Sequence, residues 1–208
     1  MPTVPRGRFV ALEGGEGTGK STQARLLAER LGAVLTREPG GTPIGARVRE
    51  IVLAAEDNGL ADRAEALLMA ADRAQHVAEL VGPALAAGRH VVTDRFLGSS
   101  VAYQGHGRGL PVTEILQLSL WATDGLQPDL VVLLDVDRAE ARARIGGGRD
   151  RLENAGAAFH RAVDEGFAAL AEEDPDRWAR VDGGGTVAEV EARIRAVVAD
   201  RLGLPARP

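Results

Sequence analysis

The stretch Gly14-Gly15-Glu16-Gly17-Thr18-Gly19-Lys20-Ser21, followed by Thr22, carries the clearest chemistry in this sequence. It fits G-x-x-x-x-G-K-[ST], follows an apolar strand-like run (8–13) and opens a helical run (20–31), which is the context that gives the pattern its meaning. Glycines let successive backbone N–H groups turn inward as an anion nest. The helix N-terminus adds a field that favours phosphate. Lys20 can reach the β and γ oxygens of a nucleoside triphosphate, and Ser21 can ligate Mg²⁺. A plain glycine turn before a helix does not account for Lys-Ser at this spacing. The motif is shared by kinases, GTPases, ATPases and motors, so by itself it does not name a reaction.

Two further segments are expected beside this loop. Arg37-Glu38-Pro39-Gly40-Gly41-Thr42 follows a short strand, with Arg49 in the next helix. Pro39 and the glycine pair force a defined turn. A guanidinium there suits a phosphate, while Thr42 as a helix cap and Arg49 on a solvated face account for the residues equally well. Thr93-Asp94-Arg95-Phe96 ends a buried strand, with Ser99, Ser100, Tyr103 and Gln104 close behind. An acid at that position holds Mg²⁺ directly or through water. Arg95 suits an acceptor phosphate, and Tyr103 and Gln104 offer a flat face and an amide to a sugar and a base. Asp135 also ends a strand, but Asp137 after it reads as a helix cap, so Asp135 is not assigned to metal. Met69, Asp72, Arg73 and His76 cluster on one helix without identifying a site. Arg142, Arg144, Arg149 and Arg151 surround Gly146-Gly147-Gly148. They read either as a mobile lid over the transferring phosphoryl group, near 145–153, or as a solvated basic loop.

The elements that must position these residues follow from periodicity. Strands are expected near 8–13, 33–36, 90–93, 130–134 and 178–181. Helices are expected near 20–31, 44–54, 62–87, 112–122, 137–145, 156–173 and 187–202. Alternation of this kind predicts an α/β fold with about five parallel strands flanked by helices in three layers, as in the P-loop NTPases, with ligands beyond the carboxyl ends of the strands. The 208 residues, 45% hydrophobic and 26% charged, fit one domain. A net charge of −5 argues against a general nucleic-acid binder. No signal peptide and no membrane span are read, and the chain has no cysteine, so a cytoplasmic setting is expected.

Taken together, these motifs resemble the bacterial thymidylate kinase family over nearly the whole chain. Those that carry the resemblance are Phe9-Val10-Ala11-Leu12-Glu13-Gly14 running into the glycine loop, Arg37-Glu38-Pro39-Gly40-Gly41-Thr42 and Ala70-Ala71-Asp72-Arg73-Ala74-Gln75-His76. Asp94-Arg95-Phe96 through Ser99 to Ala102-Tyr103-Gln104-Gly105, and Asp150-Arg151-Leu152-Glu153, complete the set. The resemblance implies transfer of the ATP γ-phosphoryl group to dTMP with Mg²⁺, by a chain that pairs as a homodimer. It implies that ATP lies on residues 14–22, that Lys20 binds phosphate, and that Ser21 and Asp94 serve the metal. Arg49 and Arg95 would hold the acceptor phosphate, and Glu16 would approach the 3′-hydroxyl. Met69, Arg73, Ser99 and Gln104 would meet thymine, and Tyr103 would pack on the deoxyribose. Gly17 stands where some relatives carry arginine, which moves the catalytic arginine to the lid, with Arg149 the first choice and Arg151 the second. Met69 replaces the family's usual phenylalanine, Phe96 a commoner tyrosine or histidine, and Phe167 a common tyrosine. Two competing readings share the glycine loop: another nucleotide or deoxynucleoside kinase, and a non-catalytic nucleotide-binding module that regulates a partner.

Overall fold

The computed structural model describes residues 5–54, 59–144 and 151–204. Among these residues five strands form one parallel sheet: β1 (Phe9–Glu13), β2 (Val34–Arg37), β3 (Val91–Asp94), β4 (Leu130–Asp135) and β5 (Trp178–Asp182), in the order β2-β3-β1-β4-β5. Successive side chains of a strand face opposite sides of the sheet. Phe9 and Ala11 of β1, with Val131 and Leu133 of β4, enter one core; Val10 and Leu12, with Val132 and Leu134, enter the other. Burial on both faces explains why these strands read as unbroken apolar runs.

One face is covered by α1 (Lys20–Leu31) and α9 (Val187–Leu202). α1 ends at Gly32, which takes a left-handed conformation, and α9 starts with a reciprocal Thr186–Glu189 capping box. The other face carries α4 (Gly82–Ala86), α5 (Leu97–Ser100), α6 (Val112–Ala122) and α8 (Ala157–Glu173); α2 (Pro43–Val52) packs on α3 (Asp62–His76), which packs on α6, and α7 (Arg138–Arg144) follows β4. Thr42 caps α2 by accepting the Gly45 N–H at 3.0 Å, the role its position suggests.

Two features depart from the periodicity. The helix expected over 62–87 is continuous but widens into a π-helical segment at Val77–Val81, immediately before Pro83, where the ring removes a backbone donor. In addition, α5 continues as a π-helical segment, Val101–Gly107, in a stretch where the sequence shows no helical pattern. The reason is burial: residues 97–105 are buried all round, so no polar face marks the helix. Gly98 lies where a Cβ would meet the Trp178 ring at 2.7 Å, and Gly107 where one would meet Phe159 at 2.6 Å. These glycines disguise the helix in the sequence and allow its close packing.

Parallel register fixes the site. Leu12 and Arg37 pair with Asp94, and Glu13 with Leu133, so Glu13, Arg37 and Asp94 reach the same carboxyl edge of the sheet. The turn after β1 opens there into the N-terminus of α1.

Candidate active site

The turn from β1 into α1 bends through positive φ at Gly14 (140°), Gly17 (74°) and Gly19 (90°). A Cβ at Gly14 would lie 2.6 Å from the Leu134 carbonyl oxygen, so the loop can lie this close to β4 because the residue is glycine. Lys20 begins α1 and is 6% exposed. Its Nζ donates to the Gly15 carbonyl oxygen and, at 3.2 Å, to Thr18 Oγ1. Burial, then the neighbouring Arg95, lowers its pKa to about 8. The ammonium is thus a desolvated cation at the mouth of an anion nest.

Arg95 follows Asp94 at the end of β3 and takes a left-handed backbone conformation, φ 72°. Such a non-glycine residue stores about 1–3 kcal/mol of strain, which the surroundings must hold in place. Its N–H donates to the Leu12 carbonyl at 2.9 Å, and Thr93 Oγ1 donates to its carbonyl at 2.9 Å. The result is a guanidinium bolted across the glycine loop. Nη1 donates to the Gly14 carbonyl at 2.9 Å and Ser99 Oγ at 3.1 Å; Nη2 donates to Glu16 Oε1 at 2.6 Å and the Tyr103 hydroxyl at 3.1 Å. Its carbon lies 5.0 Å from the Tyr103 ring centroid. The Tyr103 hydroxyl donates to Glu16 Oε1 at 2.6 Å. Burial alone would raise the Glu16 pKa, but Arg95, then Lys20 and Tyr103, hold it at about 2. Glu16, Arg95 and Tyr103 therefore form one charged, pre-oriented unit.

Ser21 Oγ donates to Asp94 Oδ2, while Asp94 Oδ1 is buried with no hydrogen-bond partner. Two hard oxygen donors beside a phosphate nest, one with an unsatisfied carboxylate oxygen, fit a small divalent cation completed by phosphate and water. Among the described residues, no cluster of three or more His, Cys, Asp or Glu side chains forms a self-sufficient metal cage. Asp135 instead pairs with Arg180 at 2.6 Å.

Arg73, Met69, Ser99, Tyr103 and Gln104 are all 5% exposed or less. Arg73 Nε donates to Glu38 Oε2 at 2.8 Å, Nη1 to Ser119 Oγ at 3.1 Å and Nη2 to the Phe96 carbonyl at 3.2 Å. The other Glu38 oxygen lies 2.8 Å from His76 Nδ1, and His76 Nε2 lies 2.7 Å from Thr36 Oγ1. Asp72 Oδ1 accepts the Gly40 N–H at 3.0 Å. Burial, reinforced by Glu38, raises the Asp72 pKa to about 6. The histidine-bearing helix thus grips the Arg-Glu-Pro-Gly-Gly-Thr turn from below. Arg49 Nη1 donates to the Pro39 carbonyl at 3.0 Å, and a cleft of about 630 Å³ runs past Arg49, Arg37, Asp94, Arg95 and Lys20. A second cleft, about 340 Å³, lies on the far side of the loop between Glu16, Arg142, His160 and Asp164.

The fold brings Lys20, Ser21, Asp94, Arg95, Glu16 and Tyr103 together; Ser99 joins them through Arg95. Gln104 and Arg151 meet elsewhere, on Glu65: Gln104 Nε2 donates to Oε1 at 2.7 Å, and Arg151 Nη2 donates to Oε2. Arg151 also donates to the Val52 carbonyl at 3.2 Å and lines neither cleft. Arg149 lies outside the described residues, as does most of the segment read as a lid. Arg144 donates to the Gly183 carbonyl at 3.1 Å, which places the Gly183-Gly184-Gly185 turn beside α7.

The sequence assigns no role to two buried acids, Glu13 and Glu65, and places Glu38 only in the turn at the mouth of the pocket. Glu13, 1% exposed, accepts the N–H groups of Phe96 at 3.0 Å and Ser99 at 2.9 Å on Oε1 and the Ser99 hydroxyl at 2.6 Å on Oε2. Burial raises its pKa above the ordinary value. Its signal was present, since it ends a buried strand as Asp94 does. Glu38, inside a recognised motif, and Glu65, at the start of α3, reveal their roles through partners at least 35 positions away. Ser100 follows Ser99 in that segment, and its hydroxyl is buried without a hydrogen-bond partner, as is Gln104 Oε1.

A parallel sheet with a phosphate nest after its central strand, a buried lysine and an Asp-Arg pair one strand away define a P-loop nucleotide-binding protein. The comparisons with known proteins agree and go further. The thymidylate kinase family model matches residues 12–194. A thymidylate kinase of Leifsonia xyli subsp. xyli is 52% identical over 210 aligned positions, covering 97% of this chain and 99% of that protein. One from Synechococcus sp. (strain JA-3-3Ab) is 51% identical over 201, covering 93% and 96%. The crystal structure of thymidylate kinase from Ehrlichia chaffeensis superposes with a TM-score of 0.78 at 31% identity, covering 93% of this chain and all of that one. The chain belongs to the thymidylate kinase family.

Proposed function

We propose that this protein transfers the γ-phosphoryl group of ATP to the 5′-phosphate of dTMP, giving ADP and dTDP. The observation that carries this reading is the Arg95 guanidinium. It spans the donor-phosphate loop at Gly14 and Glu16 and the acceptor-side residues Ser99 and Tyr103. A regulatory nucleotide switch has no need of such an acceptor side.

Phosphoryl transfer asks a protein for alignment and charge neutralisation. The nest 14–22 holds the ATP phosphates, and Lys20 lies on the β and γ oxygens. Ser21 and Asp94 would hold Mg²⁺, which supplies positive charge to the phosphates when bound. Arg95 and Arg49 hold the acceptor phosphate, so that two anions face one another across a set of fixed cations. Glu16, ionised at neutral pH, accepts the 3′-hydroxyl, and Tyr103 packs on the sugar and disfavours a 2′-hydroxyl. Met69 presents a thioether to the base; Arg73, Ser99 and Gln104 read its polar edge. Arg149 stabilises charge on the transferring group. The setting is the cytoplasm; among the described residues no helix is long and apolar enough to cross a membrane.

The protein works as a homodimer in this reading. Ile44 and Ile51 lie two turns apart on α2, at 55% and 48% exposure, and Leu67 on α3 is 59% exposed. These helices pack on each other, and such apolar exposure suits an interface.

The test is ADP release from ATP and Mg²⁺ with a panel of dTMP, dUMP, dCMP, dGMP, AMP, UMP and thymidine. Strong preference for dTMP is expected. Preference for another acceptor overturns the base-site roles of Arg73, Ser99 and Gln104. ATP binding without transfer to any acceptor overturns the kinase reading.

A further inference from the structure

Glu65 lies in the first turn of α3, one turn before Met69, and is fully buried. Its carboxylate collects three donors from two other parts of the chain: Gln104 Nε2 at 2.7 Å and Arg108 Nη2 at 3.0 Å from the helix after β3, and Arg151 Nη2. Burial would push its pKa up; hydrogen bonds from Arg108, Gln104 and Arg151 hold it below the ordinary value. A buried carboxylate is tolerated when its oxygens are satisfied, and then it fixes whatever satisfies them.

Gln104 belongs to the proposed acceptor site, and the other two partners lead to the second cleft, lined by Glu16, the proposed partner of the acceptor's 3′-hydroxyl. A carboxylate only accepts, so the Gln104 amide must turn its nitrogen to Glu65. That leaves Oε1, buried and without a partner, as the free end of the amide. Arg151 opens the turn whose Glu153, Asn154 and Gly156 line the cleft beside Glu16. Arg108 stacks on Phe159 in the first turn of α8, 4.8 Å from its centroid, and Phe159 meets the edge of Tyr103 with centroids 5.9 Å apart.

We propose that Glu65 is a positioning residue for the acceptor nucleotide: it orients the Gln104 amide and, through Arg151 and Arg108, holds the 151–159 wall of the cleft in place. Arg151 on this view is an anchor rather than a group that touches the transferring phosphoryl. The inference rests on the reading that Gln104 faces the acceptor base.

The test is a double-mutant cycle with Glu65→Gln, Arg151→Met and both together, each checked for folding by circular dichroism and thermal melting. KM and kcat are measured for each substrate. Glu65→Gln is expected to raise the KM for dTMP about tenfold while the KM for ATP stays within about twofold. Arg151→Met is expected to raise the KM for dTMP by a smaller factor, and the double variant to be no worse than Glu65→Gln. A Glu65→Gln protein that melts lower with both KM values unchanged overturns the proposal, leaving Glu65 purely structural. So does Arg151→Met lowering kcat by the same factor in both backgrounds, since Arg151 then acts independently of Glu65. If Glu65→Gln does not fold, Arg151→Met alone decides: an unchanged KM for dTMP overturns the proposal. Wild-type acceptor preference is measured first. If dTMP is not preferred, the cycle is run on the preferred acceptor, so the coupling of residues 65 and 151 is judged apart from the identity of the substrate.

Discussion

At the scale of single residues, Arg95 joins the glycine loop to the helix after β3. Its backbone is held left-handed, its guanidinium serves four acceptors, and its ring contact with Tyr103 leaves the fork one orientation. Lysine keeps the charge but not the planar fork. Arg95→Lys is therefore expected to reduce kcat/KM for dTMP by about 100-fold or more in a folded protein. Steady-state kinetics check this, and a loss within about twofold would remove Arg95 from the acceptor phosphate. Asp72 gives a test by pH. Its carboxyl is raised from the ordinary 3.8 to about 6, so the native state binds its proton more tightly than the unfolded chain does. The penalty for burying the ionised form is present above pH 6, falls away between pH 6 and 4, and is absent below. Asp72→Asn cannot titrate. Wild type should thus gain Tm relative to Asp72→Asn as pH is lowered from 7 towards 4; a pH-independent difference would mean that Asp72 titrates at its ordinary value.

Among the elements, the helix that begins at Leu97 is the one most dependent on its surroundings. A strand supplies its cap: Glu13 at the end of β1 accepts the Phe96 and Ser99 N–H groups that open α5. Ser99 in turn accepts from Arg95 and donates to Glu13. The sheet edge, the helix start and Arg95 are thereby linked through one buried carboxylate. Glu13→Gln exchanges an acceptor for a donor among groups that already donate. It is expected to cost about 1–3 kcal/mol, read as a Tm several degrees lower, and to lower kcat/KM for dTMP as Ser99 and Arg95 loosen. Unchanged melting would show that Gln restores the bonds by rearrangement. The same element explains a limit of sequence reading. Helical periodicity is a contrast between wet and dry faces, and residues 97–105 have no wet face. The strands and the amphipathic helices α1, α6 and α9 are legible because their contrast survives in the sequence.

For the whole molecule, the parallel order β2-β3-β1-β4-β5 places every strand's carboxyl end on one edge, and the site gathers there. Apolar residues also remain outside the two cores. Leu67 on α3 and Ile44 and Ile51 on the adjoining α2 are exposed apolar residues that the proposed homodimer would cover. Leu67→Arg places a charge on that exposed surface without replacing a residue of the buried clusters. Sedimentation is expected to show a shift from dimer towards monomer with the melting profile of a folded chain. A wild-type protein that sediments as a monomer at micromolar concentration would remove the dimer.

The sequence by itself determined the phosphate loop, the Asp-Arg pair at a strand end, the parallel α/β class and the family resemblance. Those features are local: they depend on residue types a few positions apart, on glycines at positive φ, and on the two periodicities of strand and helix. Tertiary structure decided which side chains share a partner. Arg151, grouped by sequence with the phosphate-facing arginines, lies on Glu65, 86 positions away. Arg73 lies on Glu38, 35 positions away, and Glu13 caps a helix 83 positions on. An arginine's stem reaches several ångströms in any direction, and its charge settles where a buried carboxylate would otherwise stand unpaired. That outcome depends on where the sheet order and the helix packing deliver the carboxylates, and it is written in no short stretch of the chain.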